Sequence, residues 1–140
     1  MKLEGGRNDM DTSVIDECSR LSFEGTPFPE IVKRLSAAGV RSYDADLVRL
    51  QKVYYGGDRE AYGAALSLTA APSVADDFDE ERVVAPLRAI QRGEIGYAEF
   101  LRRIMRAGCS SYSVFIRGRK AIYFGKDGQL YVENFPQPTS

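Results

Sequence analysis

The sequence predicts an α+β protein, a tandem duplication of a helix-helix-three-strand-meander unit whose two halves pack about a pseudo-twofold axis. Three observations carry this prediction. The stretch Ala38-Gly39-Val40-Arg41-Ser42-Tyr43 returns 69 positions later as Ala107-Gly108-Cys109-Ser110-Ser111-Tyr112, and the same shift aligns Glu30 with Glu99, Tyr54 with Tyr123 and Tyr62 with Tyr131. Laid without gaps, residues 28–62 and 97–131 share ten identities in 35 positions, where composition alone gives roughly two. Before each repeated glycine the apolar residues recur at helical spacing, and after it the period drops to two.

Each element has a local reason. A first helix is expected over about Thr12 to Phe23, with Asp11, Thr12 or Ser13 as cap, Asp16 and Glu17 in the first turn, and Val14, Cys18 and Leu21 on one face. Gly25-Thr26-Pro27 breaks it. Phe28, Ile31, Val32 and Leu35 then form one apolar stripe, and Gly39 suits the left-handed position after a helix end. Strands follow, with Tyr43, Ala45 and Leu47 inward, a turn near Leu50, Val53 and Tyr55 opposite Lys52 and Tyr54, and a third strand over roughly Ala61 to Leu68. In the second half the acidic run Asp76 to Glu81 lacks the alternation and glycine of a calcium loop and reads as a helix cap. Val83, Val84, Leu87 and Ile90 give the third helix its buried face, and Pro86 is expected to kink or shorten it. Tyr97, Phe100, Leu101, Ile104 and Met105 form the fourth helix's stripe. Tyr112, Val114, Ile116, Ile122 and Phe124 are expected inward on the strands that follow, which a Lys126-Asp127-Gly128 hairpin completes. Residues 1–10 read as a disordered extension or tag, 11–68 and 79–135 as the halves, 69–78 as linker and 136–140 as tail, one globular domain overall.

Composition narrows the function classes. With no histidine among 140 residues, Ser-His-Asp, Cys-His, HExxH and zinc-finger chemistry are excluded. The two cysteines are too few for a disulfide framework, and Cys18 and Cys109 read as core residues. Apolar runs fall short of the ~20 residues a membrane span needs, so no membrane partner is expected. The N-terminus lacks the apolar core of a signal peptide, so a cytoplasmic protein is expected; no cofactor is expected. Charge is divided: residues 1–81 carry 9 Lys/Arg against 16 Asp/Glu, residues 82–140 carry 10 against 4. Such asymmetry permits attraction between the halves, head-to-tail self-association or an acidic partner on the second half.

Asp11-Thr12-Ser13-Val14, Ala45-Asp46-Leu47-Val48-Arg49, Lys52-Val53-Tyr54-Tyr55, Ala89-Ile90-Gln91-Arg92-Gly93-Glu94-Ile95 and Ala121-Ile122-Tyr123-Phe124-Gly125 together resemble the YdfO/YbcV-like family, often labelled "phage envelope protein". The resemblance spans roughly Asp11 to Phe135. It implies a small bacterial or prophage-associated protein of unknown function, with no established activity.

Two residue sets are candidates for binding. Asp44, Asp46, Lys52, Tyr54 and Tyr62 are expected together on the outer face of the first meander, where the second half has Ser113, Phe115, Ala121, Tyr123 and Tyr131. A carboxylate, an amine and a phenol at cross-strand distance suit a small polar ligand or proton transfer; the plainer reading is a solvated face with an ordinary ion pair. Arg88, Arg92, Arg102, Arg103, Arg106, Arg117, Arg119 and Lys120 form the second set, suited to nucleic acid or an acidic protein if they converge. No residue is assigned a catalytic or metal-binding role. The favoured function is a non-catalytic binding or interaction module, with self-association as a homodimer expected. The alternatives are a nucleic-acid-associated regulator using the arginine-rich half, and a small-ligand sensor or enzyme using Asp46, Lys52 and Tyr54.

Overall fold

Caps and apolar spacing set the helices. In this computed structural model, which describes residues 9–136, α1 spans Thr12–Phe23, α2 Phe28–Ala37, α3 Glu80–Gln91 and α4 Tyr97–Arg106. The Asp11 carboxylate accepts from the Ser13 and Val14 amides, and Asp79 accepts from Arg82, covering donors that a helix start leaves unpaired. Glu80 and Glu81 occupy the first turn of α3, so the acidic run is a helix cap. Asp16 and Glu17 do not play that part in α1, because the helix already begins at Thr12 and they fall beyond its first turn. Pro86 neither stops nor shortens α3, which continues through all 12 residues with the proline ring buried. On α2, Ile31 and Leu35 are buried, while Phe28 is exposed and packs edge-on against Phe135.

The helices α2 and α4 end in Gly39 and Gly108, both at φ 93°. The Val40 N–H donates back to the Leu35 carbonyl at 3.0 Å, the bond of a Schellman cap. Strands start at once: β1 Ser42–Asp46, β2 Gln51–Tyr55, β3 Ala61–Ala65, β4 Cys109–Phe115, β5 Lys120–Gly125 and β6 Leu130–Asn134. Leu66 and Leu68, expected to prolong β3, instead bend into the core.

The six strands form one antiparallel sheet in the order β3-β2-β1-β4-β5-β6. The halves therefore do not bury their sheets against each other; they join edge to edge through β1 and β4. Each meander alone leaves that edge strand with unpaired backbone groups, and pairing the two satisfies both. Asp44 stands opposite Ser113 at the centre of the seam, and the Ser113 hydroxyl donates to the Asp44 carboxylate at 2.6 Å. Leu47 N–H to Ser110 carbonyl and Ile116 N–H to Arg41 carbonyl, both 2.9 Å, extend the ladder at its two ends.

Register decides which side chains face the helices. Tyr43 opposes Tyr54 and Ala45 opposes Lys52; Tyr62 and Ala64 follow on β3. Tyr112 opposes Tyr123 and Val114 opposes Ala121, with Tyr131 and Glu133 next on β6. Tyr43, Tyr54, Tyr112 and Tyr123 are buried with Ile15, Leu35, Val83, Leu101, Ile104 and Met105 in one core. Ile122 and Phe124, expected inward, lie on the far face with Val53 and Tyr55. The reason is the length of the connections. Residues 47–50 and 116–119 each give four residues, ending in left-handed Leu50 (φ 56°) and Arg119 (φ 59°), and a change of one residue would turn every side chain over.

The chain outside the elements is also held. Met10, expected in a disordered extension, is buried, and its amide donates to the Glu60 carboxylate at 2.7 Å. Its side chain fits against Gly56, whose missing Cβ would lie 2.8 Å from it. The rest of that expectation, residues 1–8, and the tail past Pro136 lie outside the described residues. The linker follows α4, with the Ala75 N–H donating to Met105 and Arg102 donating to the Thr69 carbonyl. No helix among the described residues is long and apolar enough to cross a membrane.

The two helix-ending glycines differ in their surroundings. A Cβ at Gly108 would lie 2.1 Å from the Asp77 carbonyl oxygen, whereas at Gly39 the nearest atom is 3.5 Å away. Gly39→Ala should therefore cost only the left-handed penalty of about 1–2 kcal/mol. Gly108→Ala should cost clearly more, because backbone has to move, and denaturant unfolding of the two variants checks the order.

Candidate functional site

The five-residue patch expected on the outer face is divided by the sheet. Asp44 and Asp46 stay on the outer face, while Lys52, Tyr54 and Tyr62 point under the helices. Asp46 cannot meet Lys52, because Lys52 opposes Ala45, one position over. Each aspartate has a local role: Asp44 accepts from Ser113, and Asp46 accepts from the Val48 and Arg49 amides at 3.0 Å, closing the β1–β2 turn.

Lys52 is the one buried charged residue in the core described here, 5% exposed. Its ammonium lies 5.2 Å from the Tyr43 ring centre and 5.0 Å from that of Tyr97, at the start of α4, and among the described residues no carboxylate pairs with it. Burial pulls its pKa down, but the Tyr97 and Tyr54 phenols, through charge and hydrogen bonding, hold it above the usual lysine value. The hydroxyls around it form two short links. Tyr54 shares a 3.2 Å hydrogen bond with Ser19 of α1, and Tyr97 shares one with Tyr112. Phe23 of α1 packs edge-on against Tyr97, centres 4.9 Å apart. Burial pushes the phenols of Tyr43, Tyr112 and Tyr123 well above the tyrosine range, and the Cys109 thiol up to about 12, so that thiol is inert at neutral pH.

Tyr43, Tyr97, Tyr112 and Ser19 belong to this cage and were not among the candidates. Tyr43 and Tyr112 were legible as repeated inward residues. Tyr97 and Ser19 come from other elements, and their place depends on how the helices cross the sheet.

The arginines do not converge. Arg106 precedes β4 and Arg117 follows it, and a seven-residue strand at ~3.3 Å per residue separates them. Several are already engaged: Arg92 with Glu94 at 2.6 Å, Arg103 with Glu99 at 2.9 Å, Arg102 with Thr69, and Arg119 with the Pro136 carbonyl and the Phe135 ring. Lys120 sits on the outer face of β5, level with Phe115. Arg88 donates to Glu133 at 2.6 Å and to the Tyr131 hydroxyl at 3.1 Å. Burial raises the Glu133 pKa, but bonds from Arg88, Gln91 and Tyr131 outweigh it and hold the carboxyl below its ordinary value.

Surfaces outside these contacts are open. A cavity of about 620 Å³ lies between α1 and β3, lined by Asp16, Ser19, Arg20, Phe23, Tyr62 and Ala64 among others. The far face of the sheet, which no described helix covers, exposes Tyr55 (38%), Phe115 (37%), Leu130 (51%) and Val132 (39%).

These features define a class: a small α+β protein with four helices on one face of a six-stranded antiparallel sheet, and with a buried lysine caged by tyrosines. The chain belongs to the family described as "Protein of unknown function (DUF1398)", whose profile matches residues 22–134. No curated protein matches it significantly.

Two measurements test the cage. Tyr43, Tyr112 and Tyr123 have folded pKa values above their unfolded ones, so their contribution to stability is complete below about pH 10 and lost as pH rises through the folded values. Difference absorbance should therefore show these three tyrosines ionising only as the protein unfolds in alkali. Lys52→Met, which removes an ammonium that the surrounding phenols favour in the folded state, should lower the melting temperature at pH 7.

Proposed function

We propose that the protein is a non-catalytic binding module whose partner is a second copy of itself, docked through the open face of the sheet. The contrast between the two ends of that face supports this most. The β5–β6 end carries Ile122, Phe124, Leu130 and Val132, and the β3 end carries Ala61, Gly63 and Ala65. A twofold axis running along the strands, between two facing sheets, lays the bulky end of each copy on the small end of the other. Such an interface is self-complementary and closed. The same rotation sets the half with 9 Lys/Arg against 16 Asp/Glu over the half with 10 against 4, so charge favours it as well.

The reading includes a common origin for the two ααβββ halves. The 69-residue shift carries the pair Ser42–Phe115 onto Ser111–Asp46, as a local twofold through Asp44 and Ser113 requires. Strands ~4.8 Å apart and five residues of ~3.3 Å give a face of roughly 25 by 16 Å, the footprint of a small exchangeable dimer rather than an obligate one.

Light scattering over a concentration series should show the mass rising from 15.6 kDa towards twice that value. Ile122→Glu with Val132→Glu, which sets carboxylates on an apolar face opposite the acidic half, should weaken association by about tenfold or more while the monomer stays folded. A wild-type protein that remains at 15.6 kDa at its solubility limit would sink the proposal.

A further inference from the structure

The two edges of the sheet are built on one plan and finished differently. At the β6 edge, Arg88 of α3 donates to Glu133 at 2.6 and 3.1 Å and to Tyr131 at 3.1 Å. Tyr131 donates to Glu133 at 2.7 Å, and Gln91 adds a further bond at 3.0 Å. At the β3 edge, α1 brings Arg20 to the corresponding station. Both helices have 12 residues after a capping aspartate, and each arginine is the ninth. Tyr62 opposes Tyr54 as Tyr131 opposes Tyr123.

The carboxylate is what differs. Ala64 stands where the other edge has Glu133, and Lys52 stands across the strand from it where the other edge has Ala121. The space above Ala64 is the cavity of about 620 Å³, within the range of small-molecule sites. Arg20 lines it but turns to Glu24 at 2.9 Å, an exposed pair of little strength that exchanges readily. Ser19 and Phe23 line it too, and they touch Tyr54 and Tyr97, the phenols beside the buried Lys52 ammonium. Two carboxylates line it as well: Glu24, held by Arg20, and Asp16, on the α1 wall, which accepts a hydrogen bond from the Tyr62 hydroxyl at 2.9 and 3.0 Å.

We propose that this cavity binds a small carboxylate with an adjacent ammonium group, of which a free α-amino acid is the simplest. The ligand carboxylate takes, above Ala64, the place that Glu133 fills at the other edge. This rests on the equivalence of the halves proposed above. The carboxylate meets Arg20 and the field of Lys52. The ammonium faces Asp16, which repels a bare carboxylate, and the apolar body lies on Phe23 and Leu66. No bond is made or broken.

The test is an NMR titration of the full chain with L-phenylalanine, following the amides of Ser19, Tyr62 and Ala64. Saturable shifts are expected in the millimolar range, with phenylacetate weaker and phenethylamine weaker still. Arg20→Met, at an exposed position, should keep the fold and reduce L-phenylalanine affinity about tenfold or more, the loss of one charge-assisted bond. Ala64→Glu should fill the site, raise the melting temperature and reduce the affinity similarly. The absence of saturable shifts up to roughly 10 mM overturns the proposal, as does equal affinity for phenethylamine or undiminished affinity in Arg20→Met. L-phenylalanine binding combined with a lower melting temperature for Ala64→Glu supports the site and counts against the equivalence of the halves alone.

Discussion

The four-residue connections at 47–50 and 116–119 are the constraint on which the rest depends. Both hairpins contain apolar or aromatic residues at successive positions, so either face of β2 or β5 offers something to bury. Turn length makes the choice, and Leu50 and Arg119 accept a left-handed backbone to make it. Once the register is set, the tyrosines of β1, β2, β4 and β5 form a continuous layer beneath the helices. Lys52 goes in with them, since it cannot be exposed while Tyr54 is buried two residues away.

This explains what was legible in the sequence and what was not. The first helix was legible to the residue, and the ends of α2 and α4 at their glycines, because Asp11, Gly39 and Gly108 act locally on the chain beside them. The edge-to-edge joining of the meanders was not, since nothing within β1 says whether its free edge meets β4 or solvent. The faces of β2 and β5 were misread for a different reason. A lysine in a strand suggests water, and Val53, Tyr55, Ile122 and Phe124 look like core residues on hydropathy alone. The alternation was correct, but its sign was a property of the turn. The candidate patch failed with it: Asp46 and Lys52 are close in the chain but on opposite sides of the sheet.

The tyrosine layer gives the molecule an uneven polarity. Its inner face holds a fixed cation and several hydroxyls, although it is the buried side. Its outer face is polar along β1 and β4, with Ser42, Asp44, Asp46, Ser111 and Ser113, and apolar at the β5–β6 end, with Ile122, Phe124, Leu130 and Val132. One open surface thus offers charge within a recess, and the other offers an apolar end without cover.

The Asp44–Ser113 contact also bears on how the two halves recognise each other. Were the halves identical at the seam, either could mate with its own kind across β1 or β4, and chains could exchange segments. A first half set against another first half would bring two carboxylates into direct opposition. The mixed pair instead gives the carboxylate a hydroxyl donor at 2.6 Å. A single aspartate thus makes the seam heterotypic, which disfavours pairing one first half with another.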